Sequence, residues 1–377
     1  MIQKVTRGRG SIRKAAEMME KLGMHRPLIV GSARLIPKLG RELAEAPAFS
    51  GYHPNPDLAD AEAAVRLYEA RECDGLISLG GGSAMDTAKA VKAWLCAGSA
   101  EGVKAGKLEE RLIPHLAIPS TAGSGAEATA NAVLYEGGVK LSIGHPSLLP
   151  EGVILDPALL ESLPAYQRKS CALDALSQGI ESYWAKAATE DSRVHAYLAI
   201  LGVLDNLKAY LAGDPHAAAE MLDASYQSGK AIFLTRTTAA HAMSYQLTKL
   251  LGIAHGHACM LTLPVLWDRM CAEEEMQPLM EELAGRMRLG NPLMGSRLLR
   301  GMLIDLGMEA PERPSEEIIQ KLTASVNAER LGNHPMPLNA KDIEMIYRQA
   351  FLPIRDPERQ ACLDIWRYYA GANAPEQ

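Results

Sequence analysis

No uninterrupted apolar run in this 377-residue chain reaches the ~20 residues that a bilayer crossing needs, although 47% of its residues are hydrophobic. Long runs of like charge are also missing. Lysine plus arginine (39) fall short of aspartate plus glutamate (45), leaving a net charge of −6. Nucleic acid and membrane surfaces need a basic face, so neither is expected as the main partner, and a small anionic ligand would require a local basic pocket. Six cysteines (Cys73, Cys96, Cys171, Cys259, Cys271, Cys362) lack paired spacing. That argues against a zinc knuckle or a disulfide framework and for core thiols in a reducing compartment. Residues 1–9 contain no apolar segment of a secretory signal, so the cytoplasm is the expected location. Internal repeats and low-complexity segments are not evident.

What is present divides into two rhythms. The chain is long enough for two domains with real cores. Over the first 160 residues, short β-rich runs (Pro27 to Gly31, Gly75 to Leu79, His115 to Pro119) alternate with amphipathic helix, as in Ser11 to Leu22 and Leu58 to Glu72. This βαβ pattern predicts buried parallel strands. After Pro157 the β-rich runs stop, and helical segments follow one another to Tyr369. The expected organisation is an α/β domain over 1–160 and an all-helical domain over 161–377, with Gly371 to Gln377 a frayed tail.

Two places carry chemistry. Gly80-Gly81-Gly82-Ser83 directly follows a predicted strand and opens a helix from Ala84 to about Leu95. Glycines admit close backbone approach, and a helix N-terminus offers unpaired N–H groups, which together suit a pyrophosphate; a tight turn also uses glycine for steric reasons alone. In the second half, Asp174 and Gln178 lie one helical turn apart on one face. Further on, His241 begins an apolar-periodic run that Gly252 ends, and His255-Gly256-His257 reads as the turn before the next apolar stretch. A carboxylate, a carboxamide and two or three imidazoles suit Fe(II) or Zn(II) acting as a Lewis acid. Taken singly, each histidine is as well explained by ordinary interior hydrogen bonding. Cys259, two residues past His257, comes within reach of this site but reads as core packing.

Taken together, Leu79-Gly-Gly-Gly-Ser-Ala-Met-Asp-Thr-Ala-Lys89, Ile118-Pro-Ser-Thr-Ala-Gly-Ser-Gly-Ala-Glu127, Asp174-Ala-Leu-Ser-Gln178 and His241-Ala-Met through His255-Gly256 resemble the iron-containing (group III) alcohol dehydrogenase family. The match runs from about Gly10 to the last helices. It implies a dehydroquinate synthase-like, iron alcohol dehydrogenase fold: a dinucleotide-binding α/β domain followed by an all-α metal-binding domain. It also implies a homodimer. Asp174, His241 and His255 match the family's metal ligands, whereas Gln178 stands where the family usually has histidine. A carboxamide oxygen is the weaker donor, so either Gln178 ligates weakly or three residues hold the ion.

By the same resemblance the nicotinamide cofactor meets Gly81, Gly82, Ser83 and Asp86 of the glycine turn and its helix, Ser120, Thr121 and Ser124 of the following loop, Lys140, and Asn55 on the adenine side. NAD-specific members usually carry an aspartate after the first strand. Here Ser32 and Arg34 stand there without a carboxylate, so use of both NADH and NADPH is expected.

Asp-Ala-Leu-Ser-Gln, Thr237-Thr-Ala-Ala-His-Ala-Met-Ser-Tyr245 and His255-Gly-His257 resemble more narrowly the branch that reduces phosphonoacetaldehyde to 2-hydroxyethylphosphonate. The implied substrate is a small anionic aldehyde. His257 and Tyr245 are candidates for its proton path, each equally readable as a supporting hydrogen-bonding residue. Arg236 is the candidate cation for the phosphonate. The rival readings are a general reductase of short aldehydes, ketones or diols, and a lyase of the dehydroquinate synthase type that recycles its NAD.

Overall fold

The computed structural model describes residues 2–109, 111–326 and 331–372. The chain divides into two compact units, Met1–Leu163 with Gly213–Gly229 and Pro164–Ala212 with Lys230–Gln377.

The first unit is built on β1 (Lys4–Arg7), β2 (Pro27–Gly31), β3 (Ala48–Phe49), β4 (Gly75–Gly80), β5 (His115–Pro119) and β8 (Gly152–Leu155), with a separate hairpin of β6 (Asn131–Glu136) and β7 (Val139–Gly144). β2, β4 and β5 form where the sequence predicts strands, and each is buried along its whole length, as a parallel strand covered on both faces must be. The sheet is parallel, with order β1-β8-β5-β4-β2-β3. Successive side chains feed opposite cores. Leu28, Val30 and Leu76 pack with α2 (Leu58–Ala70) and α3 (Gly82–Ala97). Ile29, Ile77, Leu116 and Ile154 pack with α1 (Ala15–Lys21) on the other face. The next helix, α4 (Ala100–Lys104), is a short edge element.

From β2 the chain proceeds to β3 on one side, and from β4 to β5 on the other. The direction of winding therefore reverses outside the carboxyl ends of β2 and β4, the crevice in which open α/β sheets bind ligands. The glycine turn ends β4 at that crevice.

Several elements differ from the sequence expectation. Ser11 to Leu22 is not one helix but a 3-10 turn (Ser11–Lys14) followed by α1. The Asp156 carboxylate accepts from the Gly10 and Ile12 N–H groups, both at 3.0 Å, and pins this start tightly. Among the described residues, five strands lie outside the three expected. Among them, β6 and β7 join through Gly137 and Gly138, whose φ of 57° and 80° make the two-residue hairpin turn that glycine permits.

The helical segment 213–229 groups with the α/β unit, not with the helical half in which a boundary at 160/161 places it. The physical cause is local. A Cβ on Gly229 would fall 2.2 Å from the Gly125 carbonyl oxygen, so paired glycines let the two backbones touch. Tyr226 donates to Gln3 at 2.9 Å and Arg7 pairs with Asp223 at 2.9 Å.

The second unit contains α5 (Ala165–Trp184), α6 (Glu190–Leu211), the end of α7 (Pro215–Thr235), α8 (Ala239–Leu251), α9 (His255–Ala272), α10 (Gln277–Arg286), α11 (Leu293–Asp305), α12 (Glu316–Ala324) and two further helices, Ala340–Ala350 and Glu358–Ala372. No strand follows Leu155 among the described residues. Trp184, Trp267 and Trp366 are fully buried within it. Among the described residues no helix is long and apolar enough to cross a membrane. Gly371 belongs to the last helix, and the tail expected beyond Ala372 lies outside the described residues.

Candidate functional site

On α5, Asp174, Gln178 and Glu181 follow one another at helical spacing on a single buried face. His241 lies in the first turn of α8 and His255 opens α9, with Cys259 one turn further on. The histidine expected in a turn is therefore the first residue of a helix. Gly256 makes this possible: a Cβ there would sit 2.0 Å from the Ser170 carbonyl oxygen and 2.7 Å from Asp174 Cβ. Only glycine lets α9 start against α5 at this point.

Donor atoms of Asp174, His241, His255 and Cys259 consequently lie within 4.8 Å of one another. His241 Nε2 is 3.3 Å and His255 Nε2 3.9 Å from Asp174 Oδ1, and Cys259 Sγ is 3.8 Å from His255 Nε2. Of the four, His255 is the most open, its side chain 40% exposed, so the cluster is reached from that side. Gln178 is buried beside it and hydrogen-bonds Asp174.

Glu181, not foreseen from the sequence, organises the cluster. Its fully buried carboxylate accepts from Thr238 N–H (3.2 Å), Thr238 O–H (2.7 Å), Ala240 N–H (2.8 Å) and His241 Nδ1. It thereby caps the positive N-terminal end of α8 and fixes the ring of His241. Its signal was available: a carboxylate seven residues after Asp174, on the same helical face. Ser244 does the equivalent for His255, with its hydroxyl 3.3 Å from Nδ1.

With Nδ1 held by Glu181, His241 Nε2 faces Asp174 Oδ1 at 3.3 Å. Both atoms are buried and neither has a hydrogen-bond partner. A buried carboxylate oxygen and a buried imidazole nitrogen 3.3 Å apart, neither hydrogen-bonded, are placed as two donors to one cation would be, and carboxylate, imidazole and thiol are donors that divalent zinc and iron accept. These residues fit a metal. Burial pushes the Asp174 carboxyl up, but His241 and His255 beside it outweigh that and hold it below its ordinary value. Likewise burial raises the Cys259 thiol, yet the same two imidazoles bring it down to about 7.

The three candidates for substrate handling fare differently. His257 is fully committed elsewhere. Its Nε2 donates to the Met308 carbonyl at 2.8 Å, so Nδ1 accepts from the Tyr166 hydroxyl at 3.1 Å, and burial holds the ring below the ordinary histidine range. Both nitrogens are thus engaged by groups outside the cluster. Tyr245 stacks on the His255 ring, centroids 5.7 Å apart. Arg236 is exposed in the left-handed turn (φ 63°) between α7 and α8 and is not among the residues gathered at the cluster.

In the first unit, three segments converge on the crevice. A Cβ on Gly81 would lie 3.1 Å from Thr121 Cγ2, and one on Gly82 3.3 Å from Ser124 Oγ. The Asn55 N–H donates to Ser83 Oγ at 3.4 Å, and Ser120 N–H to the Gly80 carbonyl at 2.8 Å. The α3 helix begins at Gly82, two residues before the expected Ala84, which puts Ser83 in its first turn. Asp86 accepts from the Val133 N–H and feels Lys140; burial first, offset by Lys89 and then these groups, leaves it raised to about 6. Lys89 is buried, donating to Ala126 O (2.6 Å), Thr129 Oγ1 (2.9 Å) and Asn131 O (2.8 Å), and so ties α3 to the loop after β5. Arg34 donates to Ser162 at 3.2 Å.

Two family models cover this architecture: iron-containing alcohol dehydrogenase over residues 3–157 and its C-terminal counterpart over 170–351. Phosphonoacetaldehyde reductase of Streptomyces viridochromogenes is 37% identical over 226 residues, covering 56% of this chain and 57% of that protein. The alignment thus spans little more than half of that relative. NAD-dependent methanol dehydrogenase of Bacillus methanolicus is 31% identical over 274 residues, 68% of this chain and 71% of that one. Among solved structures, sulfoacetaldehyde reductase from Bifidobacterium kashiwanohense in complex with NAD+ superposes with a TM-score of 0.86 at 27% identity, covering 93% of this chain and 97% of that one. A parallel α/β unit joined to a helical unit with a buried carboxylate–imidazole cluster defines the class, oxidoreductases acting on CH–OH groups. The chain belongs to the iron-containing alcohol dehydrogenase family.

Proposed function

We propose that this protein is a metal-dependent, nicotinamide-dependent aldehyde reductase of short anionic aldehydes, with phosphonoacetaldehyde reduced to 2-hydroxyethylphosphonate as its first substrate, working as a cytoplasmic homodimer. The observation that carries the metal-dependent reading is the orphaned pair Asp174 Oδ1 and His241 Nε2, buried 3.3 Å apart beside His255. Asp174, His241 and His255 hold the ion, with Gln178 a weak further ligand or the hydrogen-bond partner of Asp174. When bound, a divalent ion supplies Lewis-acid polarisation of a carbonyl oxygen.

The chain's own residues do the rest. Glu181 and Ser244 orient the two imidazoles, Gly256 keeps α9 close, and Tyr245 fixes the open face of His255 by stacking. The cofactor is NADH or NADPH, held by Gly81, Gly82 and Ser83 with Asp86, Ser120, Thr121, Ser124, Lys140 and Asn55. Absence of a carboxylate at Ser32 to Arg34 supports use of both forms.

Substrate class rests on two relatives whose names agree in chemistry. Phosphonoacetaldehyde and sulfoacetaldehyde are both two-carbon aldehydes bearing a tetrahedral oxyanion group. The test is NADH and NADPH oxidation with phosphonoacetaldehyde, sulfoacetaldehyde and propanal, on protein stripped of metal and reloaded separately with Fe(II) and Zn(II). A kcat/KM at least ~10-fold higher for the phosphonate than for propanal is expected, the ratio that ~1.4 kcal/mol of selective binding gives. Equal or better turnover of propanal would replace the reading with a general short-chain reductase. In the same panel Arg236→Ala reads the cation: a KM raised for the phosphonate alone assigns it, and an equal change for both removes it.

A further inference from the structure

Cys259 is the residue of the cluster that the reading above does not use. It is fully buried on α9, one turn after His255 and on the same face. Its sulfur lies 3.8 Å from His255 Nε2, and the donor atoms of Asp174, His241, His255 and Cys259 all lie within 4.8 Å of one another. A buried thiol that merely fills space does not need to stand among a carboxylate and two imidazoles.

Tetrahedral geometry gives a measure. With bonds of ~2.0 Å to nitrogen or oxygen and ~2.3 Å to sulfur, donors of one ion stand about 3.3 Å apart for a nitrogen–oxygen pair and about 3.5 Å apart for a nitrogen–sulfur pair. The observed separations are 3.3 Å for His241–Asp174, 3.9 Å for His255–Asp174 and 3.8 Å for His255–Cys259. The first already matches, and shifts of about 0.3 Å for the nitrogen–sulfur pair and about 0.6 Å for His255–Asp174 bring the others into register. Gln178 has a different occupation, since its carboxamide hydrogen-bonds Asp174.

We propose that Cys259 Sγ is the fourth protein donor of the metal site, completing an Asp174–His241–His255–Cys259 set that selects zinc over iron(II). The inference rests on the metal-binding reading above and deepens it. Binding replaces the thiol proton: the S–H bond breaks, an S–metal bond forms, and one proton leaves to solvent. Thiolate with carboxylate brings two negative charges to a divalent ion. Sulfur is the soft donor that zinc accepts readily, in contrast to the all-oxygen and imidazole sets that suit iron(II) sites.

The experiment needs no activity. Metal-stripped full-length protein is titrated with Co(II) and, separately, loaded with Zn(II) for X-ray absorption at the zinc edge. A near-ultraviolet sulfur-to-cobalt charge-transfer band and one sulfur at ~2.3 Å from zinc are expected. In Cys259→Ser the band should vanish while cobalt still binds at one ion per chain, and zinc affinity should fall by more than the ~10–100-fold that loss of a supporting residue costs. Iron(II) affinity should fall less. Because the wild-type spectra carry the result, a variant that fails to fold leaves the test intact. Cobalt bound with ligand-field bands but no charge transfer would overturn the Cys259 assignment and leave the metal reading standing. No cobalt bound at all would overturn both.

Discussion

The Glu181 carboxylate and the His241 imidazole are locked together, with Nδ1–H donated to the carboxylate in a fully buried contact between α5 and α8. Glu181→Gln keeps the shape but removes the charge that makes the ring a good donor. Metal affinity, measured by competition against a chelator, is expected to drop ~10–100-fold. Stability should fall by about 1–3 kcal/mol, because a buried carboxamide cannot accept from all of the donors that converge there. Unchanged zinc affinity would show that His241 needs no such support.

Gly256 tests the contact between α9 and α5. The added Cβ of Gly256→Ala meets the Ser170 carbonyl oxygen at 2.0 Å, so α9 must move at the point where His255 faces Asp174. About 1–3 kcal/mol of stability should be lost to overpacking, together with most of the bound metal. Urea unfolding and metal content per chain read both, and full metal content in the variant would mean the helix start has room to spare.

His257 separates a structural histidine from a chemical one. His257→Phe strands the Met308 carbonyl, which now accepts at 2.8 Å, and should cost about 1–3 kcal/mol. The pH dependence of kcat should stay as in the wild type. A displaced pH profile would assign His257 to the proton path.

Glu127 gives a pH prediction remote from the cluster. It is 1% exposed, one carboxylate oxygen has no partner, and burial, only partly offset by its own backbone N–H and by Lys89, pushes it up to about 7 from an ordinary 4.5. Between those values the folded state holds the proton more tightly than the unfolded chain. Its contribution to stability therefore falls as pH rises through that window. Glu127→Gln cannot ionise. The variant should match the wild type near pH 4 and exceed it above pH 7 by on the order of 2–3 kcal/mol. Urea unfolding of both proteins at the two pH values measures this, and a difference independent of pH would refute it.

Much of this molecule was legible in order along the chain. The central strands showed as short β-rich runs because strands buried on both faces carry little else. Asp174 and Gln178 showed as a pair because a helix has a fixed period, and the glycine turn showed because it directly follows a strand. The hairpin of β6 and β7 is equally legible, through Gly137-Gly138 between alternating runs. The 3-10 start at Ser11 was not readable, since Asp156, over a hundred residues away, imposes it.

The sequence by itself determined the alternation of strand and helix, the switch to all-helix after Pro157, and which residue types were available to hold a cation. Periodicity and turn chemistry act over a few residues, and they are written locally. Only the tertiary structure decided that Glu181 grips His241, that Cys259 enters the cluster rather than the core, that His257 is spent on Met308 and Tyr166, and that residues 213–229 join the α/β unit. Each of these depends on where two helices, or a helix and a loop, meet. A meeting point is set by packing, down to single glycines such as Gly256 and Gly229, and packing has no local period for a sequence to display.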